Sequence, residues 1–303
     1  MNIFAIVVTY NALRNNWIDK CIKSLQNNTV KCEIVVVDNA STDGTRDYVP
    51  NNFPEIVWMP QDNNLGFGQA NNLGIRYALE HNADFVLLIN QDASLASDAL
   101  ELLLEAAAEN DNALMSPLQL NGNGSKIDQM FKRTLSKAEN GMMEDLIIRH
   151  EMNMVYTTGM FAAATWFMPA KMLKDIGGFN PLFFHYGEDD NYQLRLRYHG
   201  YKNIVVTKAL MYHDRGEHGN MELFNKNKIR RELLVIACDI NRSPLRYIVD
   251  ILHHFYKCYI YYLPRRQYRL GSFSLAVLWI IGHICSINKS RKKEKQLGQT
   301  WLE

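Results

Sequence analysis

The 303-residue chain carries 33 Lys+Arg against 32 Asp+Glu and is 47% apolar, an ordinary globular composition that excludes disordered, collagen-like and disulfide-scaffold classes. The near-zero net charge hides a division: residues 1–225 carry 18 Lys+Arg and 27 Asp+Glu, whereas residues 226–303 carry 15 and 5. Five scattered cysteines with no C-x-x-C spacing (Cys21, Cys32, Cys238, Cys258, Cys285) argue against a disulfide framework or structural zinc and fit a reducing, cytoplasmic setting. The first basic residue is Arg14 and the opening apolar run is far too short for a signal peptide.

Residues 3–8 are a short, continuous β-branched run and read as a buried strand. Trp17, Cys21, Ile22 and Leu25 then share one helical face. Further buried strands are expected at 33–37, 56–58 and 84–89, with helices over 69–81 and 97–109. Residues 113–120 read as a fifth strand, closed by the turn sequence Asn121-Gly122-Asn123-Gly124. Such a β-α-β-α-β series predicts an α/β fold with a mostly parallel sheet flanked by helices. Ligands then bind beyond the carboxyl ends of the strands. The second half is mixed: a strand over 160–167, helices over 169–176 and 187–199, and short strands at 204–207 and 209–213. From about residue 221 the text is helical, aromatic and basic, which divides the chain into a main domain, residues 1–222, and a C-terminal helical extension, residues 223–303.

The strand ends deliver polar residues to one edge. The first gives Thr9-Tyr10-Asn11, the second Asp38-Asn39-Ala40-Ser41-Thr42-Asp43, and the fourth Asn90-Gln91-Asp92. A lone aspartate there is often a cap or turn former, but two at one edge, among amides and hydroxyls, point to a polar ligand site. The loop Asn63-Asn64-Leu65-Gly66-Phe67-Gly68 is neither a dinucleotide fingerprint nor a P-loop; it is a flexible helix entry or a polar recognition loop. Glu188-Asp189-Asp190 opens a helix, where acids favour the positive end of the dipole or supply a general base. His213 ends a strand nearby, in a position to serve a metal or phosphate.

Together these segments resemble family-two glycosyltransferases of the GT-A fold, in the bacterial branch described as rhamnosyltransferase-like. The matching text is Val7-Val8-Thr9-Tyr10-Asn11, Val36-Val37-Asp38-Asn39-Ala40-Ser41, Asn64-Leu65-Gly66-Phe67-Gly68, Leu88-Ile89-Asn90-Gln91-Asp92, Thr158-Gly159, Gly177-Gly178-Phe179 and Tyr186-Gly187-Glu188-Asp189. The resemblance implies a nucleoside diphosphate sugar donor, dTDP-rhamnose or a UDP-hexose, bound by Thr9, Asp38, Asn64, Gln91 and Asp92. It implies Mg²⁺ or Mn²⁺ held by Asp92 and His213, with Asn90 replacing the first acid of the family's D-x-D motif. Asp189 becomes the catalytic base of an inverting transfer, and Glu188 and Arg195 the acceptor-site residues. Asn191 departs from the branch, which often carries another aspartate there.

The residue types suit that chemistry. A hard divalent ion on oxygen ligands neutralises charge on a diphosphate leaving group, and one protein carboxylate can suffice because phosphates and water fill its shell. A positioned carboxylate that takes the acceptor's hydroxyl proton contributes roughly 10²–10⁴-fold. The acceptor implied is a glycan or lipid-linked glycan of a cell-surface polysaccharide. Two other readings differ in class: a sugar-phosphate nucleotidyltransferase, whose glycine-rich basic N-terminal signature is missing, and a non-catalytic carbohydrate-binding protein, against which Asp92 and Asp189 argue.

In the extension, aromatic residues alternate with Arg246, Lys257, Arg265, Arg266 and Arg269, and an apolar run over 273–287 is too short to span a bilayer. This pattern suggests a peripheral anchor on an anionic membrane, whose removal from residue 244 onward would leave donor chemistry intact. The alternatives are packing on the main domain and an oligomer contact. No nucleic-acid-binding motif is present.

Overall fold

The computed structural model describes residues 1–135, 140–215, 221–257 and 270–303. Three βα units come first. They are β1 (Ile3–Thr9), α1 (Trp17–Gln26), β2 (Glu33–Asp38), α2 (Thr45–Asn52), β3 (Val57–Pro60) and α3 (Phe67–Glu80). Then follow β4 (Phe85–Asn90), β5 (Ala93–Leu95), α4 (Ala99–Glu109) and β6 (Ala113–Asn121). Two short helices, α5 (Gln129–Leu135) and α6 (Met142–Glu144), lead to β7 (Val155–Thr157) and β8 (Thr165–Pro169). The main domain closes with α7 (Ala170–Ile176), α8 (Glu188–Tyr198) and β9 (Lys202–His213). Among the described residues that follow are the helices α9 (Met221–Cys238), α10 (Pro244–Lys257), α11 (Leu270–Gly282) and α12 (Ile284–Glu294).

The strands form one sheet in the order β3-β2-β1-β4-β8-β6-β9-β5, with β7 beside β9. Its first four strands are parallel, as the βαβ pattern requires. Side-chain alternation explains why they read as unbroken apolar runs. Ile3, Ala5 and Val7 face one way, against Ile18, Ile22 and Leu103, while Phe4 and Ile6 face the other, against Ala70, Ile75 and Leu173. Both faces are covered, so both must be apolar.

The second half is less regular than expected. The loop after β6 lies at the carboxyl edge, and the chain re-enters the sheet from that edge, so β8 runs antiparallel to both β4 and β6. β5 and β7 pair antiparallel with β9, which gives a mixed sheet. The strand expected at 160–167 begins only at Thr165, and β5 and β7 are additional. The two strands expected around residue 208 are one, β9, whose pairing with β6 shifts register between Pro117 and Leu118. Proline has no N–H for the ladder, and the displaced Thr207 N–H bonds to Met154 O instead, at 2.9 Å.

The extension does not stand apart from the main domain. α9, α11 and α12 share a core of Leu233, Leu234, Ala276, Ile280 and Ile287 with Phe183 of the main domain. Buried Arg291 on α12 donates to Ala237 O, Asp239 O and Arg242 O, satisfying carbonyls at the end of α9. Asn180 donates to Ser290 Oγ and to Glu294 Oε1 at 2.7 Å, and Leu302 is buried in the main-domain core. Removal from residue 244 would therefore open the main domain, contrary to the expectation of a separable tail. The apolar run is interrupted at His283, and among the described residues no helix is long and apolar enough to cross a membrane.

Candidate active site

The carboxyl ends of β1, β2 and β4 meet at one edge because their registers align Thr9 with Asp38 and Val8 with Asn90. Asp38 is fully buried. It accepts hydrogen bonds from Thr9 Oγ1 at 3.0 Å, from Ser41 Oγ, and from Ser41 N at 3.1 Å, with Arg46 Nε 3.7 Å away. Asp38 thus closes its own loop as an aspartate turn and ties it to β1. Gln91 does similar work, accepting from Tyr10 N at 2.8 Å and donating to Tyr10 O at 3.1 Å. Tyr10 itself leaves its ring exposed beside this edge. It carried no role in the sequence reading, although an aromatic side chain at a strand's carboxyl end is a signal of a stacking surface.

Asn64 turns inward. Its Oδ1 accepts from Asn39 Nδ2 at 3.0 Å and from Gly66 N at 2.9 Å, while Asn39 Oδ1 accepts from Leu65 N. The glycine-rich loop is thereby fixed against β2 and carried over to the acidic helix. A Cβ on Gly66, whose φ is +80°, would lie 1.9 Å from Phe184 O, and one on Gly68 would lie 2.8 Å from Phe179 Cβ and 3.6 Å from Glu188 Cβ. These glycines are needed for close approach between the polar edge of the sheet and the start of α8.

β5 and β9 set the next pair. Ala93 lies opposite His213, and Asp214 N donates to Asp92 O at 2.8 Å. His213 Nε2 then stands 3.3 Å from Asp92 Oδ1. The imidazole is buried and its Nδ1 has no partner. A carboxylate oxygen and an imidazole nitrogen side by side fit a divalent cation that draws its other ligands from phosphate and water. Among the described residues no third metal-type side chain joins them. Arg215, two residues on, is bonded to Asp128 Oδ2 at 2.7 Å; burial works to raise the Asp128 carboxyl, but this contact holds it below the ordinary range.

Glu188, Asp189 and Asp190 open α8 behind Gly187, whose φ is +91°. Burial, and then the like charge of Asp189, push the Glu188 carboxyl up to about 8 and the Asp190 carboxyl up to about 7. Asp189 is also raised by burial, while backbone N–H groups of Asp190, Ala163 and Gly187 pull the other way. Glu188 Oε2 is buried without a partner. Burial raises the Tyr186 phenol, and the nearby Arg231 charge works against that rise.

Arg195, expected at the acceptor, is instead enclosed. It is 1% exposed, donates to Gly178 O at 2.6 Å and to Ile176 O, lies over the Tyr192 ring, and faces Glu294 of α12. It fixes the end of α7 to α8. The structure therefore gathers Thr9, Asp38, Asn64, Gln91, Asp92, His213, Glu188 and Asp189 about one edge and leaves Arg195 in the interior.

Comparison with known proteins places this architecture. The family model "Glycosyl transferase family 2" matches residues 4–174. The chain belongs to that family. It is 30% identical over 112 residues to the dTDP-rhamnosyl transferase RfbF of Shigella flexneri, covering 37% of this chain and 36% of that one. It is 24% identical over 203 residues to the N-acetylglucosaminyl-diphospho-decaprenol L-rhamnosyltransferase of Mycobacterium tuberculosis, covering 59% and 66%. The match thus spans only about a third of the Shigella relative's length. Among solved structures, S. aureus TarS 1-349 in complex with UDP superimposes with a TM-score of 0.58 at 19% identity, over 97% of this chain and 90% of that one, and shares the fold. The chain is therefore a family-two glycosyltransferase with a GT-A core, similar in part of its sequence to two rhamnosyltransferases.

Proposed function

We propose that this enzyme transfers a hexosyl or rhamnosyl group from a nucleoside diphosphate sugar, dTDP-rhamnose or a UDP-hexose, to a hydroxyl of a glycan or lipid-linked glycan, with inversion. The observation that carries this reading is the Asp92–His213 pair at the carboxyl edge of the sheet, with the glycine-rich loop packed from that edge against the acidic start of α8, where Asp189 lies. Thr9 and Asp38 form the floor for the nucleobase, with the exposed Tyr10 ring beside it. Asp92 and His213 would hold Mg²⁺ or Mn²⁺, which when bound neutralises charge on the diphosphate. Asp189 takes the acceptor's hydroxyl proton as that oxygen bonds to the anomeric carbon from the face opposite the diphosphate. The bond to the diphosphate oxygen breaks, and the diphosphate leaves with its electron pair. Glu188, held largely protonated at neutral pH, can donate a hydrogen bond at the acceptor side. Nucleotide-sugar hydrolysis by Asp189→Asn tests this: wild-type rates would refute the assignment, and retained nucleotide affinity with a loss of orders of magnitude would uphold it.

The same chemistry is proposed at the cytoplasmic face of an anionic membrane. Val249, Leu252 and Tyr256 on α10 and Leu275, Leu278 and Ile281 on α11 are exposed along one side of each helix. Arg246 and Lys257 lie on α10, and the sequence between the two helices adds Arg265, Arg266 and Arg269. Apolar surface beside cations matches a lipid interface with anionic headgroups. Full-length protein should sediment with phosphatidylglycerol vesicles, less with phosphatidylcholine, and less after Leu252→Glu with Leu278→Glu. Equal sedimentation of that variant would assign these faces to another contact.

A further inference from the structure

Three consecutive carboxyls are sunk at the start of α8, and a cation facing them comes from a distant part of the chain. α9 crosses the catalytic turn at Gly187. A Cβ there would meet Arg231 Cγ at 2.9 Å, Val235 Cγ2 at 3.1 Å and Phe183 Cδ1 at 3.2 Å, so the bare glycine lets the Arg231 stem pass directly over the turn. The guanidinium lies over the Tyr186 ring, 5.1 Å from its centroid. Tyr186 holds φ at +67°, a left-handed conformation that costs a non-glycine residue on the order of 1–3 kcal/mol unless its surroundings hold it. The Arg231 charge also acts on His185, Glu188 and Asp190.

We propose that Arg231 is a positioning residue for the base: α9 supplies the fixed cation that holds the Tyr186–Gly187 turn closed and offsets the acids on either side of Asp189. The inference rests on the reading of Asp189 as base. It gives the extension a part in catalysis distinct from any membrane contact, because α9 joins the acidic turn through Gly187.

The charges around the acids set the sign of the effect. On α8 itself Glu188, Asp189 and Asp190 repel one another, and His185 and Tyr186 precede them in the turn. From α9, Arg231 opposes their protonation, while Glu232 favours that of Asp190. Glu232 is paired with Lys228 at 3.9 Å and stands 3.1 Å from His254 of α10. Across the cleft, Asp92 and Arg215 act on Tyr186 with opposite signs. Loss of the Arg231 charge leaves the like charge of Glu232 facing Asp190, so the Glu188 and Asp190 carboxyls that flank the base hold their protons to higher pH.

The test uses full-length protein with UDP-glucose, UDP-N-acetylglucosamine and dTDP-rhamnose as probes, following released nucleotide against pH. In Arg231→Gln the acidic limb of the hydrolysis profile should move up by about one pH unit, which is about a tenfold loss at a fixed pH on that limb. Nucleotide affinity should be kept, and Arg231→Lys, which retains the charge, should restore the limb. The same displacement is readable without turnover, from the pH dependence of the urea midpoint. A wild-type limb in Arg231→Gln, or equal losses at every pH in the Gln and Lys variants, would overturn the proposal. Should Arg231→Gln fail to fold, Arg231→Lys decides alone: a wild-type limb supports the proposal and a displaced one refutes it. Undiminished hydrolysis by Asp189→Asn would sink the base assignment itself, whereas an inactive Asp189→Asn beside an unmoved Arg231→Gln limb would sink this inference only.

Discussion

Arg195 separates a surface role from an interior one. Its guanidinium donates to Gly178 O and Ile176 O, stacks on Tyr192 and faces Glu294, with almost no solvent contact. Arg195→Ala removes the cation, strips two buried carbonyls of their donor and leaves Glu294 without its counter-charge. Leaving a buried carbonyl without its donor costs about 1–3 kcal/mol, so the two together cost about 2–6 kcal/mol. At roughly 2–4 °C per kcal/mol for large domains, the melting temperature should fall by about 4–24 °C. Thermal denaturation followed by fluorescence reads this directly, with nucleotide affinity measured well below the transition. Pairing Arg195→Met with Glu294→Gln should recover part of the loss, because the second change removes the stranded carboxyl, and a double-mutant cycle isolates that coupling. An acceptor-binding arginine would behave differently: the melting temperature would hold while transfer failed. That outcome would refute the interior assignment.

Other consequences follow from the same geometry. His213→Ala should weaken Mn²⁺-dependent nucleotide binding and Asp92→Ala should abolish it, as followed by calorimetry; unchanged metal dependence in both would remove the pair from the metal's coordination. Glu188 keeps its proton up to about 8 in the folded protein but only to its ordinary 4.5 when unfolded. The native state therefore binds more protons between those values, and this contribution to stability is present below the lower value and lost as pH rises through the upper one. Urea midpoints should fall over that window in wild type and fall less in Glu188→Gln; equal slopes would contradict the assignment. Gly66→Ala would drive a Cβ into Phe184 O at a left-handed φ, so it should lower stability by about 1–3 kcal/mol and reduce turnover, measured by denaturation and donor hydrolysis.

The sequence by itself determined the parallel half of the fold and most of the polar edge at the strand ends. Strands buried on both faces must be apolar throughout, and short helices between them force parallel pairing, so β1, β2 and β4 could be read locally, together with Thr9, Asp38 and Asp92 at their ends. The acidic start of α8 was legible because glycine and consecutive acids mark a helix N-terminus. Only the tertiary structure decided the rest. The approach of His213 to Asp92 depends on β5 pairing with β9, and the single strand β9 keeps its pairing with β6 through a register shift beside Pro117. Arg195 follows Asp189 by six residues on α8, yet it is enclosed in the interior, where the Gly178 and Ile176 carbonyls receive it. The basic tail was legible as charge, but not the folding back of α9 and α12 against α8, since periodicity marks an apolar face without naming what covers it. Contacts between residues far apart in sequence are fixed by which surfaces exclude water together, and no local pattern encodes that choice.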